Sequence, residues 1–251
     1  MKISVITTSN NSIKTIERTI KSIFSQTYQN IEKVWIDNAS TDGTLNILNK
    51  YKDENTILIS EKDFGIYDAF NKGIKKSSGE IISFLNSDDF YYDENVLLNV
   101  SQKFEKSNID ILFGNINYVK SDNSVLRKWV SLDKKLCGKL DQKLITSKIN
   151  FGWMPPHPGF FIKRRSFNHL FDTNYKIAAD YDFMLRSLLK KENNIYYLNK
   201  FIVKMLIGGN SNNIKNIIKK MIEDYKIIKK NNIGGLHTLV FKNLRKLNQF
   251  F

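Results

Sequence analysis

An open α/β sheet flanked by helices is the fold that the first ninety residues predict. Three observations carry it. Short apolar runs recur along the chain, a stretch with one apolar helical face follows each of them, and turn or capping residues mark the boundaries. Strand–helix alternation of this kind implies parallel pairing through right-handed crossovers.

KISVIT (2–7) is the first run. SIKTIERTIKSIF follows, with apolar residues at 13, 16, 20, 23 and 24, the spacing of one helix face. IEKVWIDN (31–38) reads as the second strand, and STDGT (40–44) supplies the turn and N-cap before TLNILNKYKDE continues as a helix. TILIS (56–60) is the third strand; after EKDFG, the stretch YDAFNKGIKKS is helical and ends near Ser77–Gly79. GEIISFLN (79–86) is the fourth strand. Ligands of such sheets bind beyond the carboxyl ends of the strands. That rule gathers Thr7–Asn11, Asp37, Asn38, Asp63, Asp88 and Asp89 at one edge.

Farther on, ENVLLNVSQKFEKS (94–107) is helical, IDILFGNINYV (109–119) is a strand with a glycine break, and SVLRKWV (124–130) is a strand expected to pair antiparallel. Pro155, Pro156 and Pro158 stiffen MPPHPGFFIKRRSF into an extended segment that leads into the strand GFFIKR. KIAADYDFMLRSLLKKE turns helical after Ala179, and NIYYLNKFIVKML (194–206) holds one or two strands. From Ile214 to Ile228, apolar residues at 214, 217, 218, 221, 222, 225 and 228 mark one face of an amphipathic helix. No internal repeat or low-complexity linker interrupts the 251 residues, which read as one continuous domain with a basic helical tail.

Composition narrows the function. The single Cys137 excludes an intramolecular disulfide and fits a reducing compartment. MKISVITTSN is too polar for a secretory leader, and the longest apolar stretch, 196–209, is broken by Lys200 and Lys204, so a cytoplasmic protein is expected. Of the formal net charge of +14, residues 201–251 carry +8. Such a tail points to an anionic partner, unless its lysines only solubilise the chain. A nucleic-acid-binding protein is therefore the alternative reading, although no interleaved aromatics, RNP-like strand or helix-turn-helix pattern supports it. A dinucleotide-dependent dehydrogenase is set aside: TTSNNS has no glycine and no GxGxxG occurs.

The chemistry-bearing residues are few. In ISFLNSDDFY, Asp88 and Asp89 follow a buried run; hard divalent cations take such carboxylates together with substrate phosphates, but an acidic turn before a helix starting near Asp93 explains them as well. Asp37 and Asn38 can hydrogen-bond a base or ribose, whereas Asp42 suits a helix cap. His157 sits rigidly between prolines, and Asp180 at a helix start is a cap or a base.

ISVITTSNN, SIFSQTYQNIEKVWIDNASTDGT and FGIYDAFNKGIKKSSGEIISFLNSDD, in this order and at these separations, resemble the nucleotide-binding half of a family 2 glycosyltransferase with the GT-A fold, strongly over residues 1–92 and more weakly to about 192. The resemblance implies a GT-A catalytic domain over 1–207, with a nucleotide-sugar half (1–92) and an acceptor and catalytic half (93–207), then the basic tail 208–251. It implies an inverting transfer from a nucleotide-diphosphate sugar, by family default a UDP-sugar, to a glycan or lipid-linked acceptor in envelope polysaccharide assembly. By position, Thr8 would meet the base, Asp37 and Asn38 stand where the family often has Asp-Asp, Asp63 would flank ribose and diphosphate, and Asp88 would contact ribose or donor sugar. Asp89 would hold Mn²⁺ or Mg²⁺. AADYDF takes the place of the family's Glu-Asp pair with Ala179 for the Glu, so Asp180 is the expected general base and Asp182 the fallback. His157 and Arg164 complete the expected site, Arg164 toward the diphosphate. The tail admits an anionic membrane surface, on the inner face of the cytoplasmic membrane, or a second copy of the chain; no nucleic acid partner is expected.

Overall fold

The computed structural model describes residues 1–207 and 214–247. The alternation read from the sequence is present as β1 (Ile3–Ser9), α1 (Ile16–Phe24), β2 (Ile31–Asp37), α2 (Thr44–Tyr51), β3 (Thr56–Ser60), α3 (Ile66–Lys76) and β4 (Ile81–Phe84). Strands β3, β2, β1 and β4 lie side by side and pair in parallel, so their carboxyl ends share one edge. Beyond them follow β5 (Asp89–Tyr91), α4 (Val96–Lys106), β6 (Ile111–Val119), β7 (Val125–Trp129), β8 (Gly138–Leu140), α5 (Gln142–Asn150) and β9 (Phe160–Lys163). The chain continues through α6 (Ala179–Leu188), β10 (Ile195–Leu206), α7 (Ile214–Lys230) and α8 (Leu236–Leu247).

The sheet is mixed. Antiparallel β9 is inserted between β4 and β6; β10 then runs parallel to β6, and β5 antiparallel to β10. β7 pairs antiparallel with β6, which settles the arrangement that the sequence left open. NIYYLNKFIVKML forms one strand, broken in register between Tyr197 and Val203.

Both faces of the sheet are covered. Ile23 of α1 and Val96, Leu97, Val100 and Phe104 of α4 close one face. On the other, α3, α5, α6, α7 and α8 contribute to a larger core around Phe70, Phe84, Phe113, Phe160 and Phe183. Gly73 lets α3 press against β1, since a Cβ there would lie 2.3 Å from Ile6 Cγ2. The segment expected as a tail thus shares the principal core through Ile227, Ile228, Ile233 and Leu239. Its residues 208–213 and 248–251, and the side chain of Ile214, lie outside the described residues.

The orientation of α7 departs from its apolar periodicity. Ile217, Ile218, Met221 and Ile222 are exposed, while Glu223, Asp224, Ile227 and Ile228 face inward. The reason is polar: both acids find partners inside. Glu223 meets backbone N–H groups and Asp224 pairs with Lys242 at 2.5 Å.

Candidate active site

Four loops leave the carboxyl edge of β1–β4 and are knitted together there. The Asn38 N–H donates to Ser9 O, Thr41 N to Asn11 Oδ1, Asp63 N to Asn38 Oδ1, and Ser12 Oγ lies 2.8 Å from Ser87 Oγ. Asp42 caps the turn by accepting from Thr44 N and Ile13 N, the structural role that its position before α2 suggested.

Asp37 is the knot beneath these loops. Its carboxylate accepts from Ser9 Oγ, Ser40 Oγ, Ser40 N and Ser60 Oγ, at 2.6–2.9 Å. Two carboxylate oxygens accept about four bonds, so no acceptor capacity remains for a nucleotide. The expectation that Asp37 contacts the donor is corrected on this ground. The Asn38 side-chain oxygen holds the Asp63 N–H, its side chain is half-buried, and Ala39 beside it takes the left-handed φ of 45° that turns the loop. Asp63 is half-buried and accepts from Gly65 N at 2.8 Å; Thr8 is buried near the end of β1.

The carboxylate pair is not symmetric. Asp88 is half-buried in the loop after β4, whereas Asp89 opens β5 and is fully enclosed. Asn86 Nδ2 donates to Asp89 Oδ2 at 2.9 Å, the Leu206 N–H points at the same carboxylate, and Oδ1 has no partner. Burial and the neighbouring Asp88 push the Asp89 carboxyl well above its ordinary range, and burial raises Asp88 too. Two crowded carboxylates, one with an enclosed unpartnered oxygen, are a donor set that a divalent cation satisfies. Among the described residues no group of three or more His, Cys, Asp or Glu could hold a metal without help. Phosphate oxygens and water would have to complete its shell, as Mg²⁺ commonly requires.

Asp180 stands on the first turn of α6, and His157, which acts on its charge, stacks on Phe84 at the end of β4. Tyr67 of α3 donates its hydroxyl to Ile177 O at 2.8 Å and to Asp180 Oδ1 at 3.2 Å, and the Tyr181 N–H donates to the same oxygen. Burial would raise the Asp180 carboxyl. Lys220, His157, the Tyr181 N–H and Lys242 outweigh burial and hold it below the ordinary aspartate value. His157 stacks on Phe84 at 5.1 Å with Phe70 and Phe171 edge-on; burial lowers its pKa, and its Nε2 has no partner.

Two expected residues lie elsewhere. Asp182 points into the core and is bound by Arg186 at 2.6 Å, so it is no substitute base. Arg164 donates to Gly79 O, Ile74 O, Ser77 O and Ser77 Oγ, tying the end of α3 to the start of β4. That is the opposite end of β4 from Asp88. The charge of Arg164 serves unpaired carbonyls rather than a diphosphate.

A profile of glycosyl transferase family 2 matches residues 4–171. The chain belongs to that family. The Escherichia coli UDP-Glc:alpha-D-GlcNAc-diphosphoundecaprenol beta-1,3-glucosyltransferase WfgD is 32% identical over 139 residues, 55% of this chain and 54% of the relative. The match spans about half the length of that enzyme. A PGL/p-HBAD biosynthesis glycosyltransferase of Mycobacterium tuberculosis is 27% identical over 227 residues, 87% of this chain and 83% of its own. In fold, the protein is similar to S. aureus TarS 1–349 (TM-score 0.73, 20% identity, 99% of this chain and 72% of that one). It is also similar to the mannosyltransferase PcManGT of Pyrobaculum calidifontis, solved with GDP-Man and Mn²⁺ (TM-score 0.64, 16% identity, 93% and 65%). The mixed sheet is thus the GT-A arrangement, and the chain is related to glycosyltransferases, one of which acts on a GlcNAc-diphosphoundecaprenol.

For this family 2 enzyme the sequence reading passed over Tyr67, Lys220 and Glu223. Tyr67 lies inside FGIYDAFNKG, where nothing distinguishes a tyrosine that reaches 113 residues ahead. Glu223 carried one faint signal, as one of two acids in the basic segment.

Proposed function

We propose that this glycosyltransferase moves a sugar from a nucleoside-diphosphate sugar, with uracil as the base, to a hydroxyl of a glycan or lipid-linked acceptor in envelope polysaccharide assembly, with inversion at the anomeric carbon. The observation that carries the reading is the carboxylate Asp180, linked to the end of β4 through His157, which acts on its charge and stacks on Phe84, the last residue of that strand. Asp180 Oδ1 is taken by Tyr67 and the Tyr181 N–H, so the other oxygen receives the acceptor proton. As that proton leaves, the acceptor oxygen attacks the anomeric carbon, and the bond from that carbon to the diphosphate oxygen breaks with its electron pair. His157 presents its unpartnered Nε2 to a group of the bound substrate.

Thr8, Asn38 and Asp63 bind the nucleoside in this reading. In this reading Asp88, half-exposed, and Asp89, through its unpartnered Oδ1, share the cation, which departs from the expectation of Asp89 alone. Mn²⁺ or Mg²⁺ held there would neutralise the departing diphosphate. The alternative, nucleic acid binding through the basic segment, has no interleaved aromatics or recognition motif to support it.

Release of nucleoside diphosphate from a panel of UDP-, GDP-, CDP- and dTDP-sugars tests the proposal. Turnover of a UDP-sugar that Asp180→Asn lowers by about a hundredfold or more is expected. A variant that keeps full turnover would remove Asp180 from the base role.

A further inference from the structure

The helical hairpin α7–α8 grips the segment that carries Asp180, and the grip is made by charged groups. The carboxylate of Glu223 accepts three successive backbone N–H groups, from Lys176 at 2.9 Å, Ile177 at 2.9 Å and Ala178 at 3.0 Å. These residues stand immediately before α6, and Glu223 is buried. On the other side of the same segment, Tyr67 donates to Ile177 O and to Asp180. One residue past the base, Lys242 of α8 lies 3.3 Å from the centre of the Tyr181 ring and pairs with Asp224 of α7. Lys230 at the end of α7 reaches Asp172 at 3.0 Å, at the start of the loop that leads to the base.

The N–H groups before a helix have no intrahelical partners, and their direction sets how the first turn begins. Asp180 sits on that first turn. A carboxylate holding three of these groups from a helix more than forty residues away therefore sets the height and tilt of the base. The same position in sequence offers no local carboxylate, because residue 179 is alanine.

We propose that Glu223 is a positioning residue for the transfer reaction: it fixes the aim of Asp180 by clamping the backbone of residues 176–178, so that the C-terminal hairpin is part of the catalytic apparatus. The inference rests on the assignment of Asp180 as base. Glu223 touches no substrate; it acts through the backbone. Replacing it with glutamine puts an amide N–H₂ against N–H donors, leaving at least one of the three amides unpaired and the loop free to shift. Displacement of a reacting group by about 1 Å is worth on the order of a hundredfold in rate.

A cycle of Glu223→Gln, Asp180→Asn and the double variant, assayed for steady-state transfer, tests it. In Glu223→Gln the turnover number should fall between about tenfold and a hundredfold, with donor KM and UDP affinity unchanged. In the Asp180→Asn background the same change should cost nothing further, because a clamp with no base to aim has no effect. Equal losses in both backgrounds, or an undiminished turnover number in Glu223→Gln, would overturn the clamp while leaving the base in place. Undiminished turnover in Asp180→Asn alone would overturn the base assignment itself. Hydrogen exchange on the unmodified enzyme needs no variant to fold: the amides of residues 176–178 should be protected, and free exchange there refutes the clamp.

Discussion

Asp180 works under the influence of charges from distant parts of the chain, and its protonation is where a single residue shows most. Burial pushes its carboxyl up, while Lys220, His157 and Lys242 pull it down further, so the group is a carboxylate at neutral pH. Because the pKa in the folded enzyme is depressed, activity should persist as pH falls until Asp180 takes up its proton, below the usual aspartate range. Lys220→Met removes a positive charge and leaves His157, Lys242 and the Tyr67 hydroxyl in place. The acid limb of the kcat/KM profile should then move to higher pH, with the neutral plateau nearly unchanged. An acid limb in the same place would show that Lys220 does not set the ionisation of the base. None of this is legible in AADYDF, where a helix cap and a catalytic base look alike. Asp37 is the converse case: it stands in the expected position, but its four donors come from Ser9, Ser40 and Ser60, which only the fold collects.

At the scale of elements, the local signals were reliable and the tertiary ones were not. Strands β1–β4 and helices α1–α3 follow from apolar runs and helical spacing. β5 and β8, at three residues each, are too short to show a period, and α5 has a weak apolar face. The lesson of α7 is sharper. Its apolar spacing is real, yet the helix turns Glu223 and Asp224 inward because both acids have partners there, and four large apolar residues are left outside. α8 likewise exposes Leu236, Val240, Phe241 and Leu244. Lys219, Lys226 and Lys229 are exposed on α7, and the only acids of the two helices are buried. The proposal that this face meets an anionic lipid surface rests on the mixture of exposed apolar side chains and lysines. The protein should sediment with phosphatidylglycerol vesicles at low salt, and less so at high salt or after Lys219→Glu with Lys226→Glu. Failure to bind at low salt, or equal binding to phosphatidylcholine, would rule that surface out as an anionic-lipid contact. No described helix is long and apolar enough to cross a membrane.

For the whole molecule, the parallel half was written locally along the chain, and that is why three ordered segments sufficed to point to the family. The catalytic half was not. β9 inserts antiparallel between β4 and β6, and the segment around Asp180 is held by α3, α7 and α8 at once, so its surroundings emerge only after folding. Arg164 illustrates the limit: a cation in the right stretch of sequence comes to rest at the wrong end of β4. In the proposed function, the carboxyl edge of β1–β4 binds a nucleoside diphosphate together with a divalent cation at Asp88 and Asp89. Calorimetric titration of UDP with and without Mn²⁺, on the unaltered enzyme and on Asp88→Asn, tests it most directly. Tight binding with Mn²⁺ is expected, weakening by about tenfold or more without the metal or in the variant, a loss of about 1.4 kcal/mol or more. UDP binding of equal strength with and without Mn²⁺, or none at all, would contradict it.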